Sequence, residues 1–371
     1  MIPSQLIVLC IFLFAVVSQA QNMIKTCLWQ PTPQSISLMI PAIVTKQALP
    51  QGDKSLCKNA VQKYVNAVNA DADLRQMLGG SPLQIPAEST YTMSLLKRAA
   101  HRPLFVVNAN EFNQISDPNE FVMNNISKKL TEAGADILVL PVAADLALTA
   151  SEAVQFRQII AASFDAMMSQ GGQDINPELY KQKVTTAIPE DIHPTRDSHE
   201  SAFQADYIRL SPGVFYAICR GHQLAAVTQG QKLYQDIYSA DLYNKVGHTS
   251  TPHGHGTWHP ITLDDNSILL KWTHTDLVDG KPTLWVNSFH HEAVAYPLLG
   301  VTSLEKKLVV TGFEQDDVTN ESHKIIEVLE SLDGRYITMQ FHPEGMDEDQ
   351  HDNGNKILKG MVIHALEIRK H

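Results

Sequence analysis

The sequence predicts an α/β domain, a mostly parallel sheet with helices on both faces, preceded by an N-terminal extension. Three observations carry that expectation. Short apolar strands and helices alternate from about residue 104 onward, the interval of βαβ units. One of those strands, Val214 to Ile218, meets a helix through a cysteine with Ala217 and Gly221 on either side, the small-x-Cys-x-small pattern of a nucleophile elbow. The chain is also long and apolar enough for a large core: 371 residues, 44% hydrophobic and only 19% charged, which excludes the composition of a disordered chain.

The elements follow in order. Leu6 to Val17 is an uncharged apolar run ending in Ser18-Gln19-Ala20, small residues at the positions a signal peptidase reads. Residues 1–20 therefore read as a cleaved signal peptide; with no Lys or Arg before the run, an uncleaved anchor is the alternative. Export predicts a secreted or periplasmic protein, with no membrane association after signal removal. Residues 21–100 form the extension, with one helix marked by Val61, Tyr64, Val65 and Val68 at helical spacing. Residues 101–371 form the main domain.

Within that domain Leu104 to Val107 reads as a strand. Asp117-Pro118-Asn119-Glu120 supplies an N-cap, a first-turn Pro and a capping-box Glu for a helix running to Gly134. Strand Ile137 to Leu140, a helix around Glu152 to Ala162, strand Phe164 to Met168, the elbow strand and a helix from Gly221 to Thr228 continue the alternation. Beyond it come a strand from Leu284 to Ser288, a hairpin pairing Lys324 to Leu329 with Tyr336 to Phe341 about Asp333-Gly334, and a closing helix apolar along Ile357, Leu358, Met361, Val362, Ala365 and Leu366.

The elbow places Cys219 at the carboxyl end of its strand, exposed, where the helix N-terminus behind it favours the attacking thiolate. His342 and Glu344, in Phe341-His342-Pro343-Glu344, are two apart on what reads as extended chain, so the carboxylate can orient the imidazole. Gly171 and Gly172 follow a strand end, where glycine lets backbone N–H groups approach a ligand closely.

These segments resemble the class I glutamine amidotransferase superfamily, most nearly its free-standing gamma-glutamyl-gamma-aminobutyrate hydrolase type. The resemblance covers Arg102 to the C-terminus and rests on six ordered motifs: Gly171 to Tyr180 (GGQDINPELY), Arg196 to Glu200 (RDSHE), Ile218 to Leu224 (ICRGHQL), Leu233 to Ile237 (LYQDI), Val286 to His291 (VNSFHH) and Gln340 to Glu344 (QFHPE). It implies a flavodoxin-like domain, a Cys219 nucleophile, a His342 base, a Glu344 orienter and an oxyanion hole of backbone N–H groups at Gly172 and Arg220. Gln223, His290, His291 and Glu292 are the expected substrate-binding residues. No cofactor and no metal is implied, and the expected ligand is a small gamma-glutamyl compound.

Three positions depart from that pattern. Ala226 replaces an Asn, Gln231 replaces a Gly, and Glu292 follows the paired histidines where Gln is usual. Were Glu292 to face the substrate, its charge would repel the glutamyl α-carboxylate and favour cationic leaving groups. The resulting expectation is an exported hydrolase of gamma-glutamyl amides; a poly-gamma-glutamyl hydrolase and a non-catalytic binding protein on the same scaffold are the alternatives.

Charge and the remaining residues bound the partners. A net charge of −11, with no Lys or Arg run, points away from nucleic acid and anionic membrane surfaces. Four cysteines, at 10, 27, 57 and 219, are too few for a disulfide scaffold. In an exported chain that has lost Cys10, Cys27 and Cys57 are left to pair with each other, with Cys219 as the odd thiol. His248, His253, His255 and His259 are close in sequence, but no acidic or Cys residue completes a ligand set, and Gly and Pro suggest a loop. Asn125 and Asn320 head glycosylation triplets.

Overall fold

Two apolar sets alternate along the central strands, and each set has its own layer of helices. In the computed structural model the residues described are 24–32, 37–43, 54–94, 99–109, 125–185, 191–237, 257–298, 308–314, 325–346 and 351–370. The expected signal peptide, the capping signal at Asp117, His248, His253, His255 and the Asn320 triplet lie outside them.

The extension supplies strands β1 (Ile24–Gln30) and β2 (Leu38–Ile43), helices α1 (Lys54–Ala70) and α2 (Ala72–Met77), and strand β3 (Thr90–Ser94). Only α1 was legible in the sequence, by its buried Val61, Tyr64, Val65 and Val68. Then follow β4 (Leu104–Asn108), α3 (Asn125–Glu132), β5 (Asp136–Leu140), α4 (Ala150–Ser163), β6 (Ala166–Ser169), α5 (Pro194–Leu210), β7 (Val214–Ile218) and α6 (Arg220–Thr228). Thr149 and Glu152 form a complete capping box at the start of α4. The remainder comprises β8 (Leu233–Tyr234), β9 (Thr257–Leu263), β10 (Asp276–Val278), β11 (Lys281–Ser288), β12 (Ala293–Val294), β13 (Leu308–Glu314), β14 (Ile326–Ser331), β15 (Tyr336–Met339) and α7 (Asn353–Arg369).

Thirteen strands join one sheet in the order β10-β11-β9-β13-β14-β15-β7-β6-β4-β5-β2-β1-β3. Its centre, β15-β7-β6-β4-β5, is parallel throughout, the flavodoxin-like order. The wings are antiparallel: β9, β11, β13 and β14 on one side, β1 to β3 on the other. Phe105, Val107, Met168 and Tyr216 face a core shared with α1, α3 and α7. Leu104, Val106, Met167 and Phe215 face a second core built with α4, α5 and α6. Alternate residues thus bury against opposite helix layers, as parallel strands require.

His259 corrects the expectation of a histidine-rich loop: it lies on β9, fully buried. The expected Cys27 to Cys57 disulfide is formed, joining β1 to α1 with Cα atoms 5.3 Å apart. Among the described residues no helix is long and apolar enough to cross a membrane.

Candidate active site

β7 is buried along its whole length and ends at Cys219, whose φ of 50° and ψ of −114° turn the chain sharply into α6. A positive φ at a non-glycine residue costs on the order of 1–3 kcal/mol and persists only where neighbours enforce it. The Cys219 N–H donates to the Met339 carbonyl on β15 at 2.9 Å, which fixes one side of the turn. On the other side Gly221 has to be small: a Cβ there would lie 2.5 Å from the Ser169 carbonyl oxygen. The elbow read from the sequence is therefore present, but the thiol does not stand exposed at the strand end. Cys219 keeps only 6% of its surface, because the next strand and its imidazole close over it.

That imidazole is His342, just past β15. It is buried, hydrogen-bonded to Cys219, and its Nδ1 lies 2.8 Å from Glu344 Oε1. The contact with Glu344 is as expected, but the reason differs: Pro343 to Gly345 form a 3-10 turn, not extended chain, and the turn brings the carboxylate back to the ring. Burial works against a charged imidazole, yet Glu344, Cys219 and the hydrogen bonds to both raise the His342 pKa to about 10.

Asn287, inside the VNSFHH motif, had no role assigned from sequence. Its side chain donates to the His342 carbonyl at 2.9 Å and accepts from the His342 N–H at 2.8 Å, so it clamps that residue's backbone. Phe289 meets the imidazole edge to face, ring centroids 5.5 Å apart.

Gly172 follows β6 with a φ of +146°, and a Cβ would fall 2.8 Å from Arg196 Nη1. Only glycine fits there. Beneath this loop lies a buried ionic network from α5 and α6: Arg196 Nε meets Glu200 at 2.8 Å, and the Arg220 guanidinium pairs with both Glu200 and Asp197. Burial opposes the Glu200 charge, but Arg196 and Arg220 hold its carboxyl below the ordinary range. Arg196 also donates to Gln173, and Asp197 accepts the Asn176 N–H at 2.9 Å. The loop carrying Gly172 is thereby tied to the first turn of α6, where the backbone N–H groups at Arg220 and Gly221 begin.

The expected substrate residues assemble next to the elbow. Gln223 Nε2 donates to the Glu292 carbonyl at 2.8 Å and to Gln340 at 3.2 Å; His290 Nδ1 reaches the same Glu292 carbonyl at 2.9 Å. His291 pairs with Asp174 at 3.1 Å. The Glu292 carboxylate is buried, and it accepts the Ile175 N–H at 3.3 Å. His222 accompanies Thr338, and burial lowers its pKa to about 3, which makes it a neutral structural histidine. One buried acid escaped the sequence reading altogether. Glu327 Oε1 lies 3.7 Å from His259 and 3.8 Å from His290, and burial, reinforced by Glu314 and Cys219, pushes its carboxyl well above the usual value.

A flavodoxin-like sheet that delivers a cysteine on an elbow beside a histidine and a glutamate defines a class I glutamine amidotransferase-type domain. The family model of peptidase C26 matches residues 105–344, and the chain belongs to that family, an enzyme of cysteine hydrolase or amidotransferase type. Among curated proteins, Protein NtpR of Enterococcus hirae is 31% identical over 183 residues, 48% of this chain and 66% of that protein. The glutamine amidotransferase-like protein YvdE of Lactococcus lactis is 25% identical over 187 residues, 50% of this chain and 69% of that protein. The match thus spans about half of this chain and about two thirds of each relative. A solved glutamine amidotransferase of Thermotoga maritima aligns at 13% identity and a TM-score of 0.39, covering 72% of this chain and 98% of its own. The glutaminase domain of CTPS from Trypanosoma brucei aligns at 14% and 0.45, covering 70% and 94%.

Proposed function

We propose that this protein is an exported hydrolase of gamma-glutamyl amide bonds acting through a glutamyl thioester on Cys219. The observation that carries this is the contact of one buried imidazole with both Cys219 and Glu344, at an elbow followed directly by helix N–H groups. His342 takes the thiol proton and, as imidazolium, balances the thiolate; Glu344 holds the ring in the required tautomer. The thiolate adds to the side-chain carbonyl of the glutamyl group, and backbone N–H groups at Gly172 and Arg220 receive the developing oxyanion. Collapse of the tetrahedral species breaks the carbon–nitrogen bond as His342 delivers its proton to the leaving amine. Water, deprotonated by His342, then attacks the thioester, and glutamate and the free thiol are released.

Hydrolysis is favoured over ammonia transfer because export would separate the protein from cytosolic partners that consume ammonia. Export is supported by the signal-like run at residues 6–17 and by the Cys27 to Cys57 disulfide, a bond of oxidising compartments. The test is intact-mass detection of one acyl adduct with a panel of gamma-glutamyl amides, alongside turnover. Cys219→Ala is expected to lose both adduct and turnover while keeping its fold, with His342→Ala falling almost as far, on the order of 10³-fold or more in kcat. Full turnover by Cys219→Ala overturns the mechanism, and an adduct-free, inactive parent favours a binding protein.

A further inference from the structure

Far from the elbow on the chain, the short segment before β10 meets the start of α7, and it brings two histidines and an aspartate together. We propose that His274, Asp276 and His351 form a site for a borderline divalent cation of the zinc type. One ligand atom from each lies within 4.8 Å of the others. His274 Nε2 is 3.9 Å from Asp276 Oδ1, and the two imidazole rings lie 4.3 Å apart, tilted by 36°.

What separates this cluster from an accidental surface grouping is the way its two segments are fixed to each other. Asn353, buried in the first turn of α7, accepts the His274 N–H at 2.7 Å and donates to the His274 carbonyl at 3.1 Å. One amide side chain thus holds the backbone of the first ligand at a set distance from the helix that follows the third. The same segment is fastened on its other side: Trp272 packs against Gly360 and His364 of α7, and the Thr273 N–H and hydroxyl both reach the Leu269 carbonyl. The His274 backbone is anchored while the side chains of His274 and Asp276 stay exposed, so rotation of those two side chains can close the ligand atoms toward the spacing of about 3.4 Å around a tetrahedral zinc.

The donor set selects the class of ion. Two imidazole nitrogens and one carboxylate oxygen suit zinc, copper, nickel or cobalt; calcium and magnesium call for oxygen ligands. Three protein ligands leave a position for water or for an external donor. The consequence for the fold is a clamp between the β10 segment and α7, whose Gly354 lies directly against Pro343 of the turn that carries Glu344. This site is independent of the chemistry assigned to Cys219.

The experiment is calorimetric titration of the intact chain with zinc chloride after the protein has been stripped with a chelator and Cys219 alkylated. The parent, His274→Ala, His351→Ala and Asp276→Asn are compared. Because zinc taken up by any other histidine would count equally in the parent and the variants, the readout is the difference. Each alanine variant is expected to lose one equivalent, or to bind it at least about tenfold more weakly, and the zinc-dependent rise in thermal midpoint seen in the parent should vanish. Asp276→Asn should weaken the same equivalent without abolishing it. Identical stoichiometry and affinity in the parent and all three variants overturn the proposal, as does a parent that takes up no zinc.

Discussion

Cys219 and His342 are hydrogen-bonded neighbours, so the pH dependence of the site reads the state of the imidazole. The pKa of about 10 at His342 lies above the ordinary imidazole value of about 6.5, so the charged ring is present throughout the neutral range and is lost only as pH rises through about 10. Glu344 is the first of the effects that raise it against burial. Replacing that carboxylate by an amide removes the charge but keeps an oxygen near the ring. Glu344→Gln is therefore expected to retain more activity than His342→Ala, with its alkaline limb of kcat/KM moved to lower pH by a unit or more, since each unit reflects about 1.4 kcal/mol of charge interaction. A pH–rate profile of the two proteins checks this, and an unmoved alkaline limb would show that Glu344 does not govern the imidazole.

Helix α5 carries Arg196, Asp197 and Glu200 to the underside of the Gly172 loop, and the extension holds the start of that helix in place. Asp73 of α2 accepts the Thr195 N–H at 2.7 Å and pairs with His193 at 2.9 Å, while Asp71 accepts the Thr195 hydroxyl at 3.1 Å. These carboxylates stand where helix N–H groups lack partners and favour negative charge. Asp73→Ala is expected to cost about 1–3 kcal/mol of stability, as a charged acceptor lost from a backbone donor does, and to lower kcat through the Arg196 network with little change in KM. Urea unfolding and steady-state kinetics measure the two effects, and unchanged kcat would confine the contact to stability. The contacts from Asp71 and Asp73 were not visible in the sequence, although Arg196 to Glu200 stood out there as a motif. The elbow, HPE and double-glycine segments announce themselves because their chemistry needs particular residues at fixed local spacing. The caps on α5 join residues more than a hundred positions apart, and α5 itself hides its periodicity by burying charged residues, Arg196, Asp197 and Glu200, beside Phe203 and Tyr207. Strands β1, β2 and β3 escaped for other reasons: β3 is the outermost strand of the sheet and mixes polar with apolar residues, and in β2 the apolar run Leu38 to Ile43 is broken by Pro41, a residue that argues against a strand inside a sheet.

At the scale of the whole molecule the extension and the matched segment share one sheet. Strand β2 runs parallel to β5, pairing Leu38 with Val139, and the Tyr64 hydroxyl of α1 donates to the Val142 carbonyl just beyond β5 at 2.8 Å. The disulfide then closes a loop of chain between Cys27 and Cys57, separated by 30 positions, and so ties the sheet edge to α1, which packs on it. In the chain-entropy account a loop of that length stabilises the fold by about 3–4 kcal/mol through restriction of the unfolded chain. Since α2 follows α1 directly and caps α5, loosening the edge reaches the platform beneath the Gly172 loop. The double variant Cys27→Ala, Cys57→Ala is accordingly expected to unfold at lower urea concentration, with a loss of about 3–4 kcal/mol. Activity should fall along the same transition as secondary structure, because the extension supports the helix that the Gly172 loop rests on. Circular dichroism and turnover followed on the same urea series decide the matter: an activity midpoint that stays at the parent's value while the circular-dichroism midpoint drops would mean that the extension melts separately and leaves the catalytic sheet intact.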